Sequence, residues 1–280
     1  MAERSAPVKR RDSILVVVVG ADLMKLYEPL CVPKPVDRDV WTVDGPLMEM
    51  KTAWGSVPFP TRAVVVRLAD GRLWVWSPVV LTDETRSNLA PLGPVRHLVS
   101  PNKIHYAHIA AWKAAYPDAL AWASPGVRER AASHRVDVTF DRDLVAAPDT
   151  AWATVIDQLV VHGSRLMDEV IFFHRASRTL IVADLIENFE PAKLTTARER
   201  LLMKFGGVTD PDGKASSGYR ATFLGRHRVA RQSIERVLAW NPERILIAHG
   251  RSYEKDGTAE LRRAFRWLGI DGAASAPGPR

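Results

Sequence analysis

Residues 169–184 read Glu-Val-Ile-Phe-Phe-His-Arg-Ala-Ser-Arg-Thr-Leu-Ile-Val-Ala-Asp. Two short apolar runs, 169–173 and 179–184, flank a polar turn at 175–178, the pattern of paired strands. Asp184 closes the second run. A carboxylate directly after a buried strand is costly to desolvate without a partner. A metal ion or another cation would be one such partner; the other reading is an Asp that caps the next segment.

The arrangement recurs downstream. Residues 244–248, Arg-Ile-Leu-Ile-Ala, form an apolar run that ends at His249, and Gly250 then lets the backbone turn sharply. Upstream, 40–45 reads as a strand entering an Asp-Gly turn. Residues 63–68 and 73–76 form a hairpin across Asp70-Gly71. Further strands are expected at 95–99, 120–123, 136–140 and 155–161. Helices are expected at 105–116, after Ser124-Pro125-Gly126, and at 194–205, 226–240 and 258–268. Strict β-α-β alternation is absent, which argues against a Rossmann fold. A mixed sheet sandwich covered by helices fits the order better.

Composition is that of a globular chain of 280 residues, 46% hydrophobic and 25% charged, with nine tryptophans suited to lining clefts. The formal charge of +7 is unevenly placed: residues 1–11 hold four basic side chains against Glu3 alone. That leader reads as a solvated arm, and the aromatic-and-basic interleaving of a nucleic-acid platform is missing, so no nucleic-acid partner is expected. The apolar stretch 14–20 is short and is interrupted by Asp22 and Lys25, so it suits a strand or a weakly ordered lead-in better than a signal peptide. No stretch is long enough for a membrane span. Cys31 is the one cysteine, which excludes an intrachain disulfide and a cysteine-based zinc site and suits a cytoplasmic protein. The organisation expected is a basic leader over 1–25, one domain over 26–270, and a Gly/Ala/Pro-rich tail over 271–280.

Among the eight histidines, His105 and His108 stand three apart where the first helix is expected to start. On a helix that spacing puts both imidazoles on one face, where they can share a metal. Together with Asp184 and His249 they are the candidate metal ligands. Gly55-Ser56 and Gly163-Ser164 lack the Gly-x-Ser-x-Gly frame of a nucleophile elbow. Gly206-Gly207 lacks the strand and helix of a phosphate-binding loop.

The run Phe172-Phe173-His174-Arg175-Ala176-Ser177-Arg178-Thr179-Leu180-Ile181-Val182-Ala183-Asp184, with the earlier Pro101-Asn102-Lys103-Ile104-His105, resembles the DUF4336 proteins of the metallo-β-lactamase-like superfamily. The resemblance implies an α/β (α+β) fold, a four-layer αββα sandwich with a metal site along one edge of its two sheets. It also implies Asp184 as the bridging aspartate and His249 as the final histidine. The chain departs from the superfamily pattern at 102–108, which contains no His-x-His-x-Asp-His, so a single ion or none is expected in place of two. His162 lies near the position of the middle histidine and is a candidate additional ligand. Asn102, Tyr106 and His174 are candidates to support the ligands or orient substrate, Lys103 beside them, with His174 read chiefly as structural.

Two functions follow. One is a metal-dependent hydrolase with a divergent mononuclear site, holding zinc, or iron or manganese, and acting on a small-molecule substrate. The ion would lower the pKa of a bound water and polarise a carbonyl or phosphoryl oxygen. The other is a degenerate member that keeps the sandwich without catalysis and acts as a binding or interaction protein.

Overall fold

A computed structural model of the chain describes residues 15–17, 24–52 and 55–270. The expected leader and tail lie outside these residues, apart from 15–17 and the two residues 24 and 25.

The first sheet holds eight strands. β1 (Leu15–Val17), β2 (Pro33–Asp37), β3 (Val40–Thr52), β4 (Gly55–Arg67) and β5 (Leu73–Trp76) pair antiparallel, with β1 and β2 both on β3. β6 (Val95–Val99), β7 (Leu120–Ala123) and β8 (Arg142–Asp143) continue the sheet in parallel. The second sheet runs β9 (Ile156–Val161), β10 (Glu169–His174), β11 (Thr179–Val182) and β12 (Arg244–Ile247), antiparallel except for the parallel pair β11–β12.

Side chains sort by a period of two. Val64 and Val66 of β4, Trp74 and Trp76 of β5, Val170 and Phe172 of β10 and Leu246 of β12 meet in the core between the sheets. Their neighbours Val65, Val75, Ile171 and Ile245 face outward and are buried too. The strands therefore read as unbroken apolar runs, because helices cover both outer faces. Over the first sheet lie α1 (Asp83–Leu89), α2 (Ile109–Ala115) and α3 (Val127–Ser133), which contribute Leu89, Trp112 and Ala131. Over the second lie α5 (Ser217–Ala221), α6 (His227–Leu238) and α7 (Gly257–Ala264), which contribute Tyr219, Ile234 and Leu261. The result is the four-layer αββα sandwich. A further helix, α4 (Ala197–Gly206), sits at one edge.

Several expectations are corrected. β3 runs on through Asp44-Gly45, where a turn was expected, and shifts register between Gly45 and Met48. The helix expected from residue 105 begins at Ile109, so His105 and His108 do not share a helical face. Residues 136–140 form no strand; β8 follows them instead. Trp74, Trp76, Trp122 and Trp152 fill the core between the sheets rather than lining clefts. No described helix is long and apolar enough to cross a membrane.

His97 on β6 is buried among these indoles, and its Nδ1 accepts a hydrogen bond from Trp122 Nε1 at 3.1 Å. Burial pushes its pKa down to about 4 from 6.5. The stability that neutral His97 contributes is complete above the unfolded value and is lost as pH falls through the window from 6.5 to about 4. Urea unfolding at pH 7 and pH 5 is expected to show a loss of roughly 2 kcal/mol from this group alone. His97→Gln should flatten the dependence by that amount. Equal pH slopes in the two proteins would refute the assignment.

Candidate metal centre

β11 and β12 run parallel with Val182 opposite Ile247. Carried two residues further, that register sets Asp184 beside His249. His105 arrives from the other sheet, on the turn after β6. Across the junction His105 Nε2 lies 3.2 Å from Asp184 Oδ2, and His249 Nε2 lies 3.5 Å from Asp184 Oδ1. One donor atom from each of the three residues falls within 4.8 Å of the others.

Both imidazoles are held from behind. His249 Nδ1 lies 2.7 Å from the Pro60 carbonyl, which can only accept, so that nitrogen carries the proton. His105 Nδ1 lies 2.7 Å from Ser77 Oγ. When neutral, His249 thus turns the lone pair of Nε2 toward a carboxylate oxygen, two acceptors facing each other. A cation or an extra proton resolves the conflict. Tetrahedral coordination with bonds near 2.1 Å gives ligand–ligand edges of about 3.4 Å; the two N–O separations, one to each oxygen of Asp184, are close to that value, and the donor atoms of the three residues lie within 4.8 Å of one another. Two imidazoles and a carboxylate are also the donor set of an open catalytic zinc site. The residues fit a divalent ion.

The carboxylate is equally fixed. Asn102 Nδ2 donates to Asp184 Oδ2 at 2.5 Å and to Glu169 Oε2 at 3.2 Å, bridging two acids. Glu169 is fully buried and accepts the backbone N–H groups of Ala183 and Asp184 at 2.8 and 2.9 Å. Burial and the neighbouring charge of Asp184 raise Glu169 to about 8, against the pull of these donors. Burial also works against the ionised form of Asp184, but His105 and His249 overcome it and hold the carboxyl well below its usual range. Burial would lower His249, yet Asp184, Glu187 and the Pro60 carbonyl raise it. Burial and the charge of Asp184 raise Glu187 to about 8.

The loop that carries His249 is clamped. Buried Arg62 on β4 donates through one terminal nitrogen to the carbonyls of Ile247 (3.0 Å) and Gly250 (2.7 Å), and binds Asp44 with its other nitrogens. Gly250 has φ +99°, and a Cβ there would meet the Asn188 carbonyl at 2.0 Å. Only glycine fits between β12 and that loop.

The other expected residues lie apart from the cluster. His108 packs its Nε2 against Met48 Sδ at 3.3 Å, and burial pushes it down to about 4. His162 is half-exposed and pairs with Asp168. Tyr106 is buried beneath α2 and α3, with Arg130 as its hydrogen-bond partner. His174 opposes Thr179, the first residue of β11, so it sits at the far end of the strand from Asp184 and bonds Ser177. It orients a turn and reaches no substrate site near the cluster. Asn102 alone of the supporting candidates touches the acid. Ser77, Pro60, Arg62 and Glu169 were not legible as site residues, since each acts through a contact between elements distant in sequence. A hollow of about 730 Å³ lined by Arg178, Glu243 and Lys255 also lies at the far end of β11 and β12.

Fold and junction together define a metallo-β-lactamase-like sandwich. The metallo-β-lactamase DIM-1, in a crystal exposed to ceftazidime, superposes with a TM-score of 0.58 at 12% identity, covering 89% of this chain and 99% of that one. The mono-zinc form of the metallo-β-lactamase FIM-1 from Pseudomonas aeruginosa gives 0.55 at 9% identity, covering 89% and 97%. A rubredoxin oxygen:oxidoreductase from Desulfovibrio gigas gives 0.58 at 12% identity, covering 85% of this chain and 61% of that one. No curated protein matches by sequence. The family model for a domain of unknown function, DUF4336, matches residues 38–204, and the chain belongs to that family.

Replacing Arg62 with Met removes the clamp and leaves Asp44 with Lys34 as its remaining charged partner. The expected loss is about 3 kcal/mol in urea unfolding, the usual order for breaking a buried pair. A loss under ~1 kcal/mol, the size of a surface pair, would show that the clamp is not structural.

Proposed function

We propose that the chain is a metal-dependent hydrolase that holds one divalent ion through His105 Nε2, His249 Nε2 and the Asp184 carboxylate. The observation that carries this reading is the pair of imidazoles whose Nε2 atoms converge on one buried carboxylate, with their Nδ1 atoms engaged by Pro60 and Ser77. Such outer partners fix ring orientation and tautomer in metal sites. Zinc suits the donor set best, with iron and manganese as the other candidates. A bound ion of this kind supplies a nucleophilic water at neutral pH and polarises a carbonyl or phosphoryl oxygen.

The chain's own residues support a single ion. Where the superfamily pattern has its histidine-rich stretch, this chain has Asn102, and its amide donates to Asp184 Oδ2. That amide N–H is a donor and could not serve as a ligand, so the residue at this position adds no metal-binding atom on this side of Asp184. His162 and His108, the other candidate ligands, are turned to Asp168 and Met48. Substrates in reach of this chemistry are small esters, thioesters, lactones and phosphodiesters.

Protein purified without chelators is expected to carry about one equivalent of metal by mass spectrometry. His249→Ala and Asp184→Ala should each lose it, and hydrolysis of a panel of these four substrate classes should fall by at least about a hundredfold, as for removal of a catalytic metal ligand. No bound metal after loading with zinc, iron or manganese, with melting temperatures unchanged by the ions, would overturn the proposal. Metal bound without hydrolysis of any class would favour the reading as a binding protein.

A further inference from the structure

α4 stands apart from the other long helices. Of its ten residues only Glu199 and Met203 are buried. Burial does little to hold it, and local devices do the work instead. Thr196 and Glu199 form a reciprocal capping box, and Gly207 ends the helix in the left-handed conformation. The helix nevertheless presents Leu201, Leu202 and Phe205 to solvent, with Phe205 75% exposed.

These side chains are part of a larger surface. Seven large hydrophobic side chains are exposed among the described residues; six of them are Leu166, Leu201, Leu202, Phe205, Leu224 and Val229. The end of α4 meets α5 where Gly207 lies against Arg220, and the Arg165 N–H donates to the Thr222 carbonyl beside Leu224. The six are therefore carried by neighbouring segments, α4, the turn at Leu166 and the stretch from α5 to the start of α6, with Leu201, Leu202 and Phe205 of α4 as the centre.

The same face is cationic. Residues 197–229 hold seven Lys and Arg against three acids. The acids point elsewhere: Glu199 caps α4, Asp210 binds Asn188 and Arg251, and Asp212 faces Arg263. Arg165, Arg198, Arg200, Lys204, Arg226 and Arg228 have no ion-pair partner among the described residues.

We propose that this face seats the protein on an anionic lipid surface. Projecting leucines and a phenyl ring enter the boundary between headgroups and acyl chains while the flanking guanidinium and ammonium groups meet lipid phosphates, the arrangement of an interfacial amphipathic helix. Charge disfavours a second copy as the occupant, since self-pairing would bring two cationic faces together. A nucleic acid would use the cations but has no use for exposed leucines on the helix. The proposal is independent of metal binding and of catalysis.

The test is co-sedimentation of the full chain with vesicles of phosphatidylcholine alone or with one-third phosphatidylglycerol. Binding is expected to the anionic vesicles and to weaken with salt. Leu201→Ser with Phe205→Ser should reduce the affinity by about tenfold or more, and Arg198→Glu with Lys204→Glu by roughly fivefold or more per position. All four side chains are exposed, so melting temperatures should not change. A third variant, Lys9→Ser with Arg10→Ser and Arg11→Ser, separates the basic leader from this face and should retain most of the binding. The proposal is overturned if the anionic vesicles do not pellet the protein, if the apolar double variant pellets like the parent, or if the leader variant alone abolishes binding. Self-association that the apolar variant removes, without vesicle binding, would assign the face to a second copy instead.

Discussion

A buried carboxylate at the seam of two sheets organises this end of the molecule. Burial alone would make Asp184 expensive to ionise, and the protein surrounds it with groups that offset that cost. Imidazoles approach from both sheets, an amide approaches from Asn102, and its own N–H is taken up by Glu169. Each of those groups is in turn held by something behind it. The result is a nested arrangement in which the β4 backbone at Pro60, the Ser77 hydroxyl and the Arg62 clamp all bear on the position of one side chain. Such nesting keeps first-contact groups within the tolerances that chemistry requires.

Much of this was legible in the sequence, and for a physical reason. Residues 179–184 and 244–249 each place a polar residue at the end of an apolar run, and their parallel pairing sets the two polar residues side by side. Strand periodicity is local information. The failures are equally instructive. His105 and His108 were grouped by helical spacing, but the backbone stays in turns until Ile109, so only one of them reaches the junction. Residues 136–140 have β-branched composition but no strand to pair with. Arg62, Pro60 and Ser77 had no signal at all, because their roles arise where β4 meets a loop nearly two hundred residues away and where the end of β5 meets the turn after β6.

Glu169 shows how the chain manages two acids in one dry place. The Asn102 amide supplies a hydrogen to each carboxylate, and two backbone N–H groups complete the shell of Glu169. A neutral side chain thereby bridges the two acids, of which burial and the charge of Asp184 favour the protonated form of Glu169. Local sequence around Asn102 and around Glu169 gives no hint of the pairing, since the two residues meet only when the sheets close.

The tryptophans between the sheets have a consequence for how the molecule can be watched. Trp74, Trp122 and Trp152 lie within 4.5–6.3 Å of one another along the chain of contacts, centroid to centroid, and Trp76 stands 6.2 Å from the ring of His105. Light absorbed by any indole of this group can pass to its neighbours, so a change in the packing between the sheets is felt by several of the nine tryptophans at once. Trp76 brings the junction within reach of the same kind of signal, since its indole lies beside the ring of His105. The interior packing thus doubles as an optical gauge, built in without any added label.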